Sequence, residues 1–156
     1  MLGPPAFGFA EPGPLRDELT ALVLAGTKKA TSSLVADYVI DGESLPVAGE
    51  RAVVYDAAQR PVAIVETTAW RLATMGTVDD EFARAEGEGY ADATAWRAAH
   101  ERYWKGYLAD YRRGLRDPDF VLTSSTPVVR ECFRLVARVD LVTANLVEIS
   151  PDDPPP

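Results

Sequence analysis

One stretch decides the fold: Gly26-Thr27-Lys28-Lys29-Ala30-Thr31-Ser32-Ser33-Leu34. It follows a segment that begins with Pro14, a residue suited to the first turn of a helix. Apolar residues recur in that segment at helical spacing: Leu15, Leu19, Leu22 and Val23. Gly26 suits the left-handed residue that closes a helix. The pattern predicts that a helix ends at Gly26 and that residues 31–38 form a short strand running into a helical turn.

The same stretch contains groups that can do chemistry. Lys28 and Lys29 stand beside the hydroxyls of Thr31, Ser32 and Ser33. A cation next to hydroxyl groups suits an anionic or carbonyl substrate. In an extended segment, residues three apart lie on opposite faces, so Lys28 and Thr31 meet at one site only if a turn or bulge intervenes. The residues alone leave open whether Lys28 is functional or a solvated loop residue.

Strand signals lie on both sides of a charged loop and again late in the chain. Residues 51–55 and 62–68 are strand candidates, joined by a hairpin loop at residues 56–60. The clearest strand covers residues 128–139, and Glu131 lies among apolar residues on one of its two faces. A buried glutamate needs a partner, and the available arginines include Arg51 and Arg71.

Two helices are predicted between these strands. Thr77 is expected to cap a short helix over residues 78–86, and Asp92 to cap the longest helix, over about residues 93–113. An aromatic stripe at helical spacing predicts that the longer helix uses this face for packing. His100 lies on this helix among aromatic residues, and we expect a packed or surface residue, because the sequence supplies no partner that would make it a base.

Further motifs follow the glycine motif Gly26-x-Lys28-x-x-Thr31 in a fixed order. They are Leu45-Pro46-x-x-Gly49-Glu50, Arg60-Pro61-Val62-Ala63-Ile64-Val65-Glu66-Thr67-Thr68, Phe82-Ala83-x-x-Glu86-Gly87-Glu88-Gly89, Trp96-x-x-x-His100 and Pro127-Val128-Val129-x-Glu131-x-Phe133-Arg134. Together these motifs resemble the ASCH-domain family, whose members are small β-barrels related to the RNA-binding PUA domains. The resemblance covers roughly residues 7–139 and is strongest to the larger bacterial ASCH proteins.

The resemblance implies an α+β fold: a PUA-like, mostly antiparallel β-barrel of five or six strands with helices packed outside. Residues 1–13 are expected to be an irregular segment that packs on the domain through Phe7 and Phe9. Residues 14–140 would form a single ASCH domain. Residues 141–156 would be a C-terminal extension, and its Pro- and Asp-rich end, residues 150–156, is expected to be disordered.

Two reactions follow from the resemblance. Some larger bacterial ASCH proteins are described as metal-stimulated ribonucleases on single-stranded RNA, and this is the leading hypothesis. A lysine could then stabilise the phosphorane while a carboxylate or hydroxyl assists attack by the 2′-OH. The bacterial ASCH amidohydrolases remove the acetyl group from acetylated cytidine with a Lys, a Thr and a Glu. The matching catalytic positions here are Lys28, Thr31 and Glu88.

Several further residues are candidates for substrate binding: Lys29, Tyr38, Glu86, Ser124, Ser125 and Arg130. Glu86 also competes with Glu88 for the catalytic role, because two glycines make the alignment of the acidic segment uncertain. Arg130 stands where larger family members often have a cysteine. A third hypothesis is a module that binds RNA or a small ligand without catalysis.

Metal binding is left open by the sequence. Glu86 and Glu88 could hold a divalent ion, Mn²⁺ or Mg²⁺, as a pair, although no cofactor is firmly implied. One cysteine and one histidine exclude an ordinary structural zinc site.

Composition and charge limit the kinds of molecule that the protein is expected to bind. The 156 residues carry a formal net charge of −8, which argues against loose, nonspecific attachment to nucleic acid. A basic cluster over residues 97–116 fits a solvated helix surface with ion pairs better than a phosphate-binding face. No apolar run has the length of a membrane span, the N-terminus lacks signal-peptide features, and the lone Cys132 fits a reducing cytoplasm.

Overall fold

The computed structural model describes residues 6–153 and has an α+β fold. In chain order, its elements are β1 (Ala6–Phe7), α1 (Pro14–Leu24), β2 (Ala30–Leu34), α2 (Val35–Asp41), β3 (Arg51–Tyr55), β4 (Pro61–Thr74), α3 (Asp80–Ala85), α4 (Ala93–Lys105), α5 (Leu108–Leu115), β5 (Pro127–Val139) and β6 (Leu146–Glu148). Within residues 6–153 no helix is both long and apolar enough to cross a membrane.

The strands form one six-stranded sheet in the order β1-β3-β4-β5-β2, with β6 paired to β5. The hairpin of β3 and β4 is antiparallel and aligns Arg51 with Glu66 and Val54 with Ala63. β1 joins the edge of β3 in parallel, and β6 pairs antiparallel with β5. The hairpin confirms the prediction, whereas β1 and β6 are strands that the sequence did not indicate.

The chain divides into two compact units. Unit 1 takes Met1–Lys29, Val47–Ala69 and Cys132–Pro156, and unit 2 takes Ala30–Pro46 and Trp70–Glu131. β4 and β5 are long enough that each contributes residues to both units.

The core of unit 1 forms around α1 and the β3–β4 hairpin. Its buried side chains include Phe9, Val23, Val54, Val65 and Phe133. The rings of Phe9 and Phe133 lie 5.9 Å apart, a separation typical of favourable aromatic pairs. The N-terminal apolar segment therefore packs on unit 1, as expected for Phe9. Gly26 has a φ of 73°, which confirms its predicted role after the helix.

Arginines on unit 1 converge on one carboxylate of β4. Glu66 lies 3.0 Å from Arg51 and 3.0 Å from Arg134. The hydrogen bond from Arg51, then the one from Arg134, lowers the pKa of Glu66 below its ordinary value. The two arginines considered as partners of Glu131 contact other carboxylates: Arg51 binds Glu66, and Arg71 lies 3.5 Å from Asp79.

The helices of unit 2 differ in their bounds from the prediction. The long helix expected over residues 93–113 is broken: α4 ends at Lys105, and α5 begins at Leu108. Gly106 lies at this break, and glycine is a weak helix former, whereas the aromatic stripe continues across it. The stripe is a packing face, as predicted, since Trp96, Trp104 and Tyr111 are buried.

The short helix α3 begins later than predicted. Asp79, rather than Thr77, is its N-cap and accepts a hydrogen bond of 2.8 Å from the backbone N–H of Phe82. Thr77 instead bonds to Thr74. Asp92 caps α4 through a 2.8 Å bond from the N–H of Ala95, which confirms that prediction.

The cap of α3 leads to a prediction about acid stability. Asp79 also binds Arg130 at 3.0 Å. The bond from Phe82, with smaller contributions from Arg130 and Arg71, lowers the pKa of Asp79 below its ordinary value of 3.8. A carboxyl group with a lowered folded-state pKa stabilises the fold above its unfolded pKa, and this contribution is lost as the pH falls through the folded value.

Asp79→Ala is therefore expected to cost about 1 kcal/mol at neutral pH, because the cap is lost. Asp79→Asn keeps an acceptor and should cost less, but its stability should fall less steeply below pH 3.8 than that of the unmodified protein. Urea unfolding at several pH values measures both. If the free energy of unfolding fell equally steeply with pH in the unmodified protein and in Asp79→Asn, the prediction would be contradicted.

Both ends of the chain depart from the expected irregular segments. Residues 150–153 form a turn in which the N–H of Asp153 bonds to the carbonyl of Ser150 at 3.0 Å, so this part of the tail is ordered. The rest of the expected disordered tail, residues 154–156, and residues 1–5 lie outside the described part of the chain.

Candidate functional site

The acidic segment of unit 2 turns sharply at the end of α3. Glu86 is the C-cap residue of α3, and Gly87 follows with a φ of 70°. A side chain is strained in this left-handed conformation, whereas glycine adopts it readily. The chain changes direction at this turn, which lies between Glu86 on one side and Glu88 and Tyr90 on the other. Local sequence thus explains why two carboxylates lie together here.

Two side chains from separate elements meet at Glu86. Ser32 of β2 donates a 2.6 Å hydrogen bond from Oγ to Oε1 of Glu86. Nε2 of His100, on α4, lies 3.2 Å from Oε2 of Glu86 and 3.2 Å from Oγ of Ser32. Glu86 is fully buried, and the side chain of His100 is 13% exposed. We call Ser32, Glu86, Glu88 and His100 the acidic cluster.

The tautomer of His100 follows from its other nitrogen. Nδ1 lies 2.9 Å from the backbone carbonyl oxygen of Trp96, one helical turn earlier. A carbonyl oxygen only accepts, so Nδ1 carries a hydrogen and donates. Nε2 is therefore the nitrogen that faces Ser32 and Glu86.

Two oxygen atoms lie near Nε2 of His100. Ser32 donates its hydroxyl hydrogen to Oε1 of Glu86, and Oγ of Ser32 and Oε2 of Glu86 each lie 3.2 Å from Nε2. An imidazole nitrogen and a carboxylate oxygen at this separation are close enough to exchange a hydrogen or to bind one cation.

Glu88, the fourth member of the acidic cluster, lies next to Tyr90. The two side chains form a hydrogen bond, and Glu88 is half-buried. Burial, followed by the negative charges of Glu88 and Glu86, raises the pKa of the Tyr90 hydroxyl. Tyr90 therefore keeps its proton at neutral pH and can donate it to Glu88.

Aromatic rings enclose His100. Trp96 stacks on the imidazole with centroids 4.4 Å apart and planes inclined at 23°. Trp104 and Tyr90 lie at 5.1 and 5.5 Å from the same ring. These contacts fix the orientation of the imidazole and lower the local dielectric constant, which strengthens the charge interactions of Glu86.

The acidic cluster also contains potential metal ligands. Ligand atoms of Glu86, Glu88 and His100 all lie within 4.8 Å of one another. One imidazole and two carboxylates form a donor set suited to divalent ions. The sequence prediction considered Glu86 and Glu88 alone, and the structure adds His100.

The residues of the glycine motif lie in different positions. Lys28 belongs to unit 1, where its side chain is 3% exposed and its ammonium group lies 5.6 Å from the ring centroid of Phe9. Lys29 is exposed. Thr31 is half-buried on β2 in unit 2, on the strand face opposite Ser32. The hydroxyl seen to bond to the acidic segment is that of Ser32.

Two other candidates are already engaged within unit 2. Arg130 binds Asp79 and covers the ring of Phe82 at 4.4 Å. Its side chain is 12% exposed, which fits a structural ion pair better than substrate binding. Tyr38 hydrogen-bonds to Ser33, while burial and then the charge of Glu131 raise its pKa to about 12.

The two serines before β5 lie at the surface. Ser124 and Ser125 are exposed, and Ser124 lines a small pocket of about 60 Å³ with Arg97 and Glu101.

The basic cluster of α4 and α5 is largely committed to structure. Arg97 donates to the carbonyls of Met75 and Gly76, and Arg112 donates to that of Phe120. Other members form helical ion pairs with acidic neighbours, namely Lys105 with Glu101 and Arg113 with Asp110. These contacts support the expectation of a helix surface with ion pairs.

Comparisons with known proteins identify the class. The ASCH domain family model matches residues 6–137, and the chain belongs to this family. ASCH domains are associated with RNA binding. No curated protein matches the chain.

Solved structures agree with this assignment. A crystal structure of a DUF984-family protein from Enterococcus faecalis V583 is 29% identical, with a TM-score of 0.75, over 88% of this chain and 79% of that chain. The ASCH domain from Lactobacillus crispatus JV V101 is 26% identical, with a TM-score of 0.71, over 83% and 77% of the two chains. These neighbours confirm the predicted fold class, α+β and PUA-like with a mostly antiparallel sheet.

Proposed function

We propose that this ASCH domain binds single-stranded RNA and cleaves it, with the chemistry carried by the acidic cluster. The observation that carries the proposal is the buried Glu86, bonded to both Ser32 and His100 and close to Glu88. A buried carboxylate and an imidazole in contact are suited to moving protons during catalysis. The association of ASCH domains with RNA supports the choice of substrate.

RNA cleavage needs one proton acceptor and one proton donor. The 2′-oxygen forms a bond to phosphorus, the bond from phosphorus to the 5′-oxygen breaks, and the 2′-hydroxyl proton must leave. Glu88, which is half-buried, accepts that proton in our proposal. The Glu86–His100 pair, in contact at 3.2 Å, supplies a proton to the departing 5′-oxygen.

The charge distribution favours short RNA over long RNA. The net charge is −8, and most of the basic cluster is engaged in ion pairs or bonds to carbonyls. Affinity for RNA then comes from few phosphate contacts, so its dependence on salt should be shallow.

A direct assay tests the proposal. Labelled single-stranded RNA, the same RNA as a duplex, and acetylated cytidine are each incubated with the protein and with Glu88→Gln. We expect cleavage of the single strand, with a loss of at least about 100-fold in the variant. Glu101→Gln, on the neighbouring face of α4, is the matched control and should remain active. Release of acetate without RNA cleavage would replace the proposal by the amidohydrolase alternative, and binding alone would leave the non-catalytic module.

Lys28 retains the role that the family resemblance implies, and this gives a second prediction. Lys28→Met preserves the apolar contact with Phe9 and removes the cation to which the family resemblance assigns stabilisation of the phosphorane. We expect cleavage to fall at least about 10-fold. Lys29→Met, at the adjacent exposed position, should raise KM and leave kcat nearly unchanged. Kinetics with labelled RNA measure both, and full activity in Lys28→Met would remove Lys28 from the reaction.

A further inference from the structure

We infer that the acidic cluster is a binding site for a divalent transition-metal ion. The ligands are Nε2 of His100 and the carboxylates of Glu86 and Glu88. Ser32 and the carbonyl of Trp96 act as positioning groups outside the ligand set. The inference shares its site with the proposed function but is independent of the substrate.

The first argument is the orientation of His100. Metal-binding histidines almost always donate their second ring N–H to a carbonyl or a carboxylate, which fixes the tautomer. His100 does so through the 2.9 Å contact from Nδ1 to Trp96, and the stack on Trp96 holds the ring plane. Nε2 is thereby directed at the carboxylates and not at bulk solvent.

The second argument is geometric. Adjacent ligands of an octahedral ion, each about 2.2 Å from it, are about 3 Å apart, and opposite ligands are about 4.4 Å apart. Nε2 of His100 and Oε2 of Glu86 are 3.2 Å apart, and the three ligand atoms lie within 4.8 Å. These separations are close to those expected of ligands around one ion.

The third argument is electrostatic. Nε2 of His100 and the carboxylates of Glu86 and Glu88 each offer an electron pair within a short distance of one another. A divalent ion can accept all three at once. Ser32 supports this arrangement, because its 2.6 Å bond holds Oε1 of Glu86 and leaves Oε2 facing His100.

The donor set also selects the class of ion. Mg²⁺ prefers oxygen ligands and keeps several waters, while imidazole suits transition metals. Mn²⁺ should therefore bind more tightly than Mg²⁺. With three protein ligands, the ion would leave positions open to water or to a phosphate oxygen, and it would supply Lewis-acid stabilisation to that oxygen.

The test is metal binding in the absence of RNA. Mn²⁺ is titrated into the protein and followed by the electron paramagnetic resonance signal of the free ion, with calorimetry for the stoichiometry. We expect one Mn²⁺ per chain and a Kd for Mg²⁺ at least about 10-fold weaker. Quenching of tryptophan fluorescence by Co²⁺ adds a local readout, because Trp96 and Trp104 flank His100.

Variants locate the ion. Glu88→Gln and His100→Asn should each weaken Mn²⁺ binding by at least about 100-fold, and Ser32→Ala by about 10-fold, as is typical of outer-shell groups. Glu101→Gln should bind normally. Glu88 is only half-buried, so its variant should fold, and circular dichroism checks this.

Absence of stoichiometric Mn²⁺ binding, or equal binding by Glu88→Gln, would overturn the inference. If the protein binds Mn²⁺ but cleaves no RNA, the inferred metal site would stand and only the proposed function would be rejected.

Discussion

Replacing His100 by asparagine is expected to reduce RNA cleavage at least about 100-fold while the protein remains folded. The amide N–H of asparagine can still donate towards the carbonyl of Trp96, as Nδ1 does at 2.9 Å. Asparagine is too short to place an atom where Nε2 lies, so the contacts with Glu86 and Ser32 are lost. The variant therefore removes the reacting nitrogen and retains the local fold of α4.

Single-turnover cleavage of labelled RNA measures this effect, with circular dichroism as the check on folding. Glu101→Gln is the control, because it changes a neighbouring side chain that pairs with Lys105 instead. Activity within about 3-fold of the unmodified protein in His100→Asn would show that the acidic cluster is structural.

Replacing Trp96 by alanine is expected to cost about 3–5 kcal/mol in the free energy of unfolding, the largest effect on stability. Trp96 is fully buried and contacts both His100 and Trp104. Removal of its indole leaves a cavity beside the imidazole. Its indole N–H has no hydrogen-bond partner among the described residues, so Trp96→Phe removes that buried donor as well as some volume and should cost clearly less.

Urea unfolding of the unmodified protein, of Trp96→Ala and of Trp96→Phe measures these differences in stability. Tyr103→Ala, on the same helix but 36% exposed, is the control and should cost less than about 1 kcal/mol. If Trp96→Ala and Tyr103→Ala lost equal stability, the packing of α4 described above would be wrong.

The fold was predictable because its signals are local. Gly26, the β3–β4 hairpin and the cap at Asp92 each depend on a few adjacent residues, and the structure confirms them. The break in the long helix was missed because the aromatic stripe continues through Gly106. β6 was missed because its residues are all exposed and show no alternation of burial.

The site was only partly predictable. Glu86 and Glu88 were identified, since they flank a glycine that breaks a helix. His100 was not assigned a role because its partners, Ser32 and Glu86, are far away in sequence and meet it only in the folded unit. A local signal did exist: the four-residue spacing from Trp96 to His100 allows the bond that orients the ring. Ser32 was overlooked because the family motif drew attention to Thr31, which lies on the other face of β2.

The most direct test uses the fact that the chain has a single histidine. Nitrogen-15 NMR of untagged protein with labelled histidine reports both ring nitrogens of His100 without ambiguity. We predict a protonated Nδ1 in the free protein and a clear shift of the Nε2 resonance when a non-cleavable 2′-deoxy oligonucleotide saturates the protein. Resonances that remain unchanged at saturation would contradict the claim that the acidic cluster is the reactive centre.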